Sequence, residues 1–341
     1  MTRVPCYLEL ETAAKNEIIN EAFHELGTFF PETLEKDIWL CHVLDVLFSL
    51  PGLPMLVFRG GTSLSKAYNA IDRFSEDIDV TINHDEILPE FKFFADCSGK
   101  KRKAMLEELK GLVQSLLHDS VYPALAESLG LHGSLSFDPS DKDEMTIRFA
   151  YCTCLEGVDA ISPYMQRNIK LEFGGRSSTE PNSMIKIRPY VSELFANDVV
   201  FPEPRLPVVS ASRTFWDKVT LIHGKISRFK GGKPNKTDRL SRHWYDLFRL
   251  FNHQIGETSL SEDYYLLKEV VRHKDLFFHD GPGKLADCLN KNTRLVPEGE
   301  LLEELEQDYR QMIDSGMFYN NPPSFADITK HLRILEERLN S

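Results

Sequence analysis

The stretch Phe58–Asp79, FRGGTSLSKAYNAIDRFSEDID, constrains this chain more than any other. Two glycines are followed by hydroxyl residues, then a helix-length run, then two aspartates separated by one residue. Leu56, Val57 and Phe58 read as a short buried strand leading into Gly60 and Gly61. SLSKAYNAI reads as a helix opening on Thr62 and Ser63, which are good capping types. A strand that ends in Gly-Gly and enters a helix offers backbone N–H groups at the positive end of the helix dipole, and that geometry binds phosphate. The glycines permit close approach of a ligand to the backbone. Thr62 and Ser63 are expected to add hydroxyl donors.

The next run, DIDVTI, reads as a strand. Alternation turns Asp77 and Asp79 to one face and Ile78 and Val80 to the other. Two carboxylates one strand step apart repel each other unless a cation sits between them. Mg²⁺ prefers such oxygens and completes its shell with substrate phosphates, and metals so held serve in-line attack on a phosphoryl group. A third carboxylate is expected on a neighbouring strand. NIKLEFG offers Glu172, with Lys170 on the same face and Ile169, Leu171 and Phe173 opposite. A solvent-facing Lys–Glu pair is the alternative there.

Around this unit the chain shows no internal repeat or low-complexity tract. EKDIWLCHVLDVLFSL carries apolar residues at helical spacing. GKKRKAMLEELKGLVQSLLHDSVYPALAESL reads as a long amphipathic helix or helix pair, its basic start a solvated helix face or loop, with a phosphate contact as the alternative. FKFFAD reads as core or as an anchor between helix and loop. GSLSF, EMTIRFAY, RNIKLEFG and MIKIRPYV read as strands of an antiparallel meander. Beyond PEPRLPVV the pattern is helical. The class is therefore α+β, with a mixed domain over residues 1–203 and a helical one over 204–341.

Alternation places Cys152 and Cys154 on one strand face. C-x-C matches neither a zinc nor a redox motif, and the six cysteines read as reduced thiols of a cytoplasmic protein. No apolar run approaches the roughly 20 residues of a membrane span, and the start shows no secretory h-region. Net charge is -12, which by itself disfavours nucleic acid. Its distribution is uneven, however. From Arg205 to Leu250 there are 11 basic and 3 acidic residues, a balance of +8 that leaves -20 for the rest. A basic island on an acidic body can hold a polyanion.

In that island Lys218 lies beside the apolar stripe Phe215, Val219 and Ile222. Asp246 falls between the core candidates Trp244, Leu247 and Phe248. A half-buried aspartate needs a partner, which Lys218 or a nearby arginine can be.

Strand–GGTSLSK–helix–RFSEDIDV, followed in order by IKLEF, SRTFWDKVTLIH and DRLSRHWYDLFRL, resembles the AbiEii family, also called MenT-like toxins. These are nucleotidyltransferases of the DNA polymerase β superfamily, found in toxin–antitoxin and phage-defence pairs. The likeness covers about residues 35 to 255. It implies a polymerase β-like nucleotidyltransferase domain with a mixed sheet, followed by a helical domain contributing Lys218 and Asp246 to the site. It places a nucleoside triphosphate at Gly60, Gly61, Thr62, Ser63 and Lys66, with Lys170, Arg239 and Arg242 also at the nucleotide. Asp77, Asp79 and Glu172 would hold Mg²⁺, and Asp77, Asp79, Lys218 and Asp246 would be catalytic. Where the family often carries an acid three residues before the last aspartate, this chain has His243. The implied acceptor is RNA, the 3′ end of tRNA above all, and the implied partner is a cognate antitoxin. The insertion RFKGGKPNKTD, with Lys230, Lys233 and Lys236, is expected to be a basic loop that attracts the RNA backbone. Transfer to a small-molecule or protein hydroxyl, and a non-catalytic nucleotide-binding module, are the alternatives.

Overall fold

The computed structural model describes residues 4–155, 166–229, 239–278 and 284–341. Two compact units emerge, Met1–Ala67 with Phe74–Val208, and Tyr68–Arg73 with Val209–Ser341.

The first unit begins with helices α1 (Thr12–Leu26) and α2 (Pro31–Ser49). α1 stops at Gly27, whose φ of 63° an L side chain would resist. α2 starts with proline in its first turn, where no N–H is needed. Then come β1 (Leu56–Arg59), α3 (Gly60–Lys66), β2 (Asp77–Ile82), the short α4 (His84–Ile87), α5 (Gly99–Leu116) and α6 (Tyr122–Leu129). Strands β3 (Gly133–Phe137), β4 (Thr146–Tyr151), β5 (Ile169–Gly174), β6 (Asn182–Lys186) and β7 (Arg205–Val209) complete it.

The described strands form a seven-stranded mixed sheet, in the order β3-β4-β5-β2-β1-β7-β6. β3, β4 and β5 are the antiparallel meander the sequence suggests. β6 leaves it. That strand lies at the far edge beside β7, while β2 takes the place next to β5 in parallel. The reason is apolar content. β2 and β5 each bury one full face, Ile78 and Val80 against Ile169, Leu171 and Phe173, whereas β6 exposes Ser183, Met184 and Lys186 and suits an edge. PRLPVV, read as a boundary, is a strand in its own right.

The start of α2 carries three consecutive buried charged residues. Glu35 accepts from the Thr153 hydroxyl at 2.7 Å and the Cys154 N–H at 2.6 Å. Lys36 donates to Glu76 at 2.6 Å and to the Gln166 carbonyl at 2.9 Å. Asp37 pairs with Lys66 at 2.6 Å and accepts from the Tyr190 N–H at 2.6 Å. Each charge has partners, the condition for burying it. The cysteine expectation needs correction: β4 ends at Tyr151, so Cys152 is exposed and Cys154 buried rather than sharing a face. All six thiols are free.

The second unit holds α7 (Ala211–Arg228), α8 (Arg242–Phe251), α9 (Gln254–Ser261), α10 (Tyr265–Phe277), α11 (Gly299–Asp314) and α12 (Phe325–Asn340). α7 buries Phe215, Val219, Ile222 and Ile226 at steps of four, three and four. The indoles of Trp216 and Trp244 find the carbonyls of Asp263 and Leu295. Among the described residues no helix is long and apolar enough to cross a membrane.

Candidate active site

β1 pairs antiparallel with β2, and Arg59 stands opposite Asp79. Gly60 is therefore the first residue past the pairing, and it turns with φ 81°. A Cβ there would lie 1.9 Å from Asp79 Oδ2. Only glycine lets the helix start this close to the carboxylate.

The hydroxyls of the turn face inward. Thr62 donates to the Asp77 carbonyl at 2.5 Å and sits 3.0 Å from the Ser75 hydroxyl. Ser63 donates to the Gly60 carbonyl at 2.9 Å. Both side chains are fully buried. Thr62 and Ser63, expected to contribute hydroxyl donors to a phosphate, here brace the turn with those hydroxyls. No side chain caps α3.

On β2, Asp77 and Asp79 are half-buried on one face while Ile78 and Val80 are buried on the other. The parallel register sets Asp77 beside Lys170 and Asp79 beside Glu172. Three carboxylates and a lysine therefore share one sheet face. Glu172, however, has Lys170 Nζ 2.5 Å from its Oε1. Burial alone would lower the Lys170 pKa, but Glu172 and Asp77 outweigh it and raise it. Among the described residues no three acid, histidine or cysteine side chains converge as a metal site. Glu172, expected with Asp77 and Asp79 at Mg²⁺, is here the partner of Lys170.

Lys66, expected at the triphosphate, has partners in the core. Its ammonium is 2.6 Å from Asp37, both side chains are 2 % exposed, and the Tyr190 ring lies 3.6 Å away. Its charge is committed to the core, because the last turn of α3 faces α2 rather than the glycine turn.

In the second unit Asp246 is wholly buried. Arg73 Nε reaches Asp246 Oδ1 at 2.7 Å, and Arg73 Nη2 reaches Oδ2 at 2.8 Å. Lys218 Nζ reaches the same Oδ2 at 2.7 Å. Burial would raise the carboxyl pKa, but the two cations hold it well below the usual carboxylate range. An aspartate so held is a clamp and a poor general base. Lys218, expected at a triphosphate, has its ammonium on this clamp.

Arg242 begins α8, and His243 follows it with Nδ1 shielded from solvent and without a hydrogen-bond partner. Burial and then the charges of Lys218 and Arg242 push the His243 pKa down, so the ring is neutral and does not replace the missing acid. The Arg239 and Ser241 N–H groups donate to the two oxygens of Asp308, at 2.6 and 2.7 Å. Lys230, Lys233 and Lys236 lie outside the described residues.

Two residues escaped the sequence reading, Asp308 and Arg73. The available signal for Arg73 was a lone cation between the apolar pair Ala70 and Ile71 and Phe74, all three of which are buried.

The family described as "Nucleotidyl transferase AbiEii toxin, Type IV TA system" matches residues 44–331. In structure the chain is similar to the nucleotidyltransferase toxin MenT4 of Mycobacterium tuberculosis H37Rv, with 18% identity and a TM-score of 0.52. That likeness covers 97% of this chain and 90% of that one, and shows a shared α+β fold. No curated protein matches the chain in sequence.

Proposed function

The chain belongs to the AbiEii family of nucleotidyltransferase toxins of type IV toxin–antitoxin systems, and from that premise we propose that it transfers a nucleotide to the 3′ end of a tRNA. It is a nucleotidyltransferase, so its second substrate is a nucleoside triphosphate, and a toxin of this kind has a cognate antitoxin.

The observation that carries the proposal is the pair Asp77 and Asp79 on one face of β2, with Gly60 against Asp79. Two hard carboxylate oxygen donors at a glycine turn fit Mg²⁺, which commonly binds through one or two carboxylates and substrate phosphates. Asp77 and Asp79 would hold it. Bound there, the ion would neutralise charge developing on the triphosphate as pyrophosphate leaves.

The chain's own contribution is positioning. Gly60 lets main chain and carboxylate approach each other. Thr62 fixes the helix start to the backbone of Asp77. The buried Ile78 and Val80 keep the strand face from rotating. The two carboxylates are thus held in place before any ligand arrives, so that holding a cation there costs little reorganisation. The tRNA acceptor is supported by the basic balance of Arg205–Leu250 on an acidic chain, an arrangement suited to salt-sensitive backbone attraction.

The test is incubation of purified protein with total RNA and each labelled nucleoside triphosphate in turn. We expect label on tRNA, dependence on Mg²⁺, and loss of transfer in Asp77→Asn and Asp79→Asn proteins that remain folded. Label on protein or a small molecule instead would move the acceptor. Full turnover in either variant would overturn the site.

A further inference from the structure

The sheet face that carries Asp77 continues across the neighbouring strands of the first unit. The register of β2, β5 and β4 sets Asp77, Lys170 and Arg148 side by side in one row. On β4, Ile147, Phe149 and Tyr151 are buried, so alternation turns Arg148 to the opposite face, the one that holds the two aspartates.

The two cations of this row are committed to different degrees. Lys170 is closed on Glu172 at 2.5 Å. Arg148 Nη2 donates to Asp138 Oδ2 at 2.7 Å, which spends one of the five guanidinium donors. Its Nε is shielded from solvent and has no hydrogen-bond partner. Asp138 is itself fixed. It is 2 % exposed, and its other oxygen accepts from the Ser140 N–H at 2.9 Å and the Ser140 hydroxyl at 2.6 Å. The anchor is therefore buried while the arginine side chain stays 31 % exposed. A guanidinium fixed by one donor, with others left over, suits a phosphate.

Sheet order indicates which phosphate. β1, which leads into Gly60, lies on one side of β2, and β5 and β4 lie on the other. In-line displacement puts the attacking and leaving oxygens on opposite sides of the phosphorus. With a triphosphate on the glycine turn, pyrophosphate would leave on the β1 side and the acceptor would come in over β5 and β4. Arg148 stands two strand steps from Asp77, roughly 10 Å, too far for the reacting phosphorus and on the acceptor's path.

We propose that Arg148 seats a backbone phosphate of the acceptor strand, behind the attacking 3′ hydroxyl. The inference rests on the reading of Asp77 and Asp79 as the reacting centre and of RNA as the acceptor.

The test measures binding of bulk tRNA without nucleotide over a range of salt, together with kcat and the KM for tRNA and for nucleotide. Arg148→Gln is expected to weaken tRNA binding by about 10-fold. Its log–log salt slope should be shallower by about 0.7, the share of one single-strand phosphate. KM for tRNA should rise and KM for nucleotide change far less. Arg148→Lys keeps the charge and should keep the slope. A double variant, Arg148→Met with Asp138→Asn, removes the cation without stranding a buried charge; it should repeat the slope change even if Arg148→Gln folds poorly. A lower melting temperature with unchanged tRNA affinity and slope would make Arg148 a structural partner of Asp138 and overturn the inference. A raised KM for nucleotide with tRNA binding intact would also overturn it, by assigning the arginine to the triphosphate. So would a failure of the unaltered protein to bind tRNA at low salt. Binding separates this inference from the proposed function. If the unaltered protein binds tRNA but labels nothing, a shallower slope still supports the seat. If it labels tRNA and the slope does not move, the function stands and the seat falls.

Discussion

Gly60 and Asp79 occupy adjoining space so tightly that a single methyl on the glycine would fall 1.9 Å from the carboxylate oxygen. The glycine is a condition for the carboxylate's position, quite apart from any ligand.

Gly60→Ala should therefore do two things. The φ of 81° adds roughly 1–2 kcal/mol for an L residue, and the Asp79 side chain must move aside. We expect a lower melting temperature and a loss of transfer on the order of 100-fold. Thermal melts and single-turnover assays check this; unchanged turnover would mean that Asp79 need not stand where it does.

Glu172→Gln should cost much less activity than Asp77→Asn. Glu172 is partnered by Lys170 and is 39% exposed on its side chain, and exposed pairs contribute at most about 1 kcal/mol. Parallel assays at matched Mg²⁺ decide it. Equal losses in the two variants would restore Glu172 to the metal set.

Lys218→Met removes one of the two cations on a buried carboxylate. Breaking a buried pair costs about 3–5 kcal/mol, and the retained Arg73 fork places this variant near the lower figure. Denaturant unfolding measures the loss. A stability within about 0.5 kcal/mol of the parent, as for ordinary surface changes, would show that Asp246 does not need the lysine.

Acid should weaken the fold through His42. Burial, and then His132 with its ring 5.7 Å away, lowers the His42 pKa to about 4. The unfolded histidine titrates near 6.5, at about its ordinary value. As pH falls, the unfolded chain takes up the proton first. The stabilising contribution is thus complete above about pH 6.5 and is lost towards pH 4. Unfolding curves across that window should slope, and His42→Leu should make the slope shallower without abolishing it, because His243 is also held down by burial and keeps its own share; an unchanged slope would show that His42 does not contribute.

Much of the β2 face was legible because a strand has a fixed period. Once Ile78 and Val80 are core, Asp77 and Asp79 share the other face, and the same rule put Lys170 and Glu172 together. What alternation cannot supply is sheet order, which depends on which faces are fully apolar, so β6 was assigned to the wrong neighbour. Hydroxyl direction was equally hidden. Thr62 and Ser63 have both the chemistry of phosphate donors and that of turn braces, and the choice is made by the carbonyls of Asp77 and Gly60. Arg73 was missed because its partner is 173 residues away, and no local pattern reports such a distance.

The first turns of α2 carry a consequence for how this chain folds. Glu35, Lys36 and Asp37 each close a link to remote sequence: 119 residues to Cys154, 40 to Glu76 and 153 to Tyr190. Successive helix positions point about 100° apart, so the three links radiate from one turn in different directions. Inserting a single residue ahead of Glu35 would rotate all three charges away from their partners at once. Closures of such length also carry their entropy cost before any contact compensates it. The unit that holds Asp77 and Asp79 is therefore tied together by non-local links, with one helical turn as the point where those links must agree.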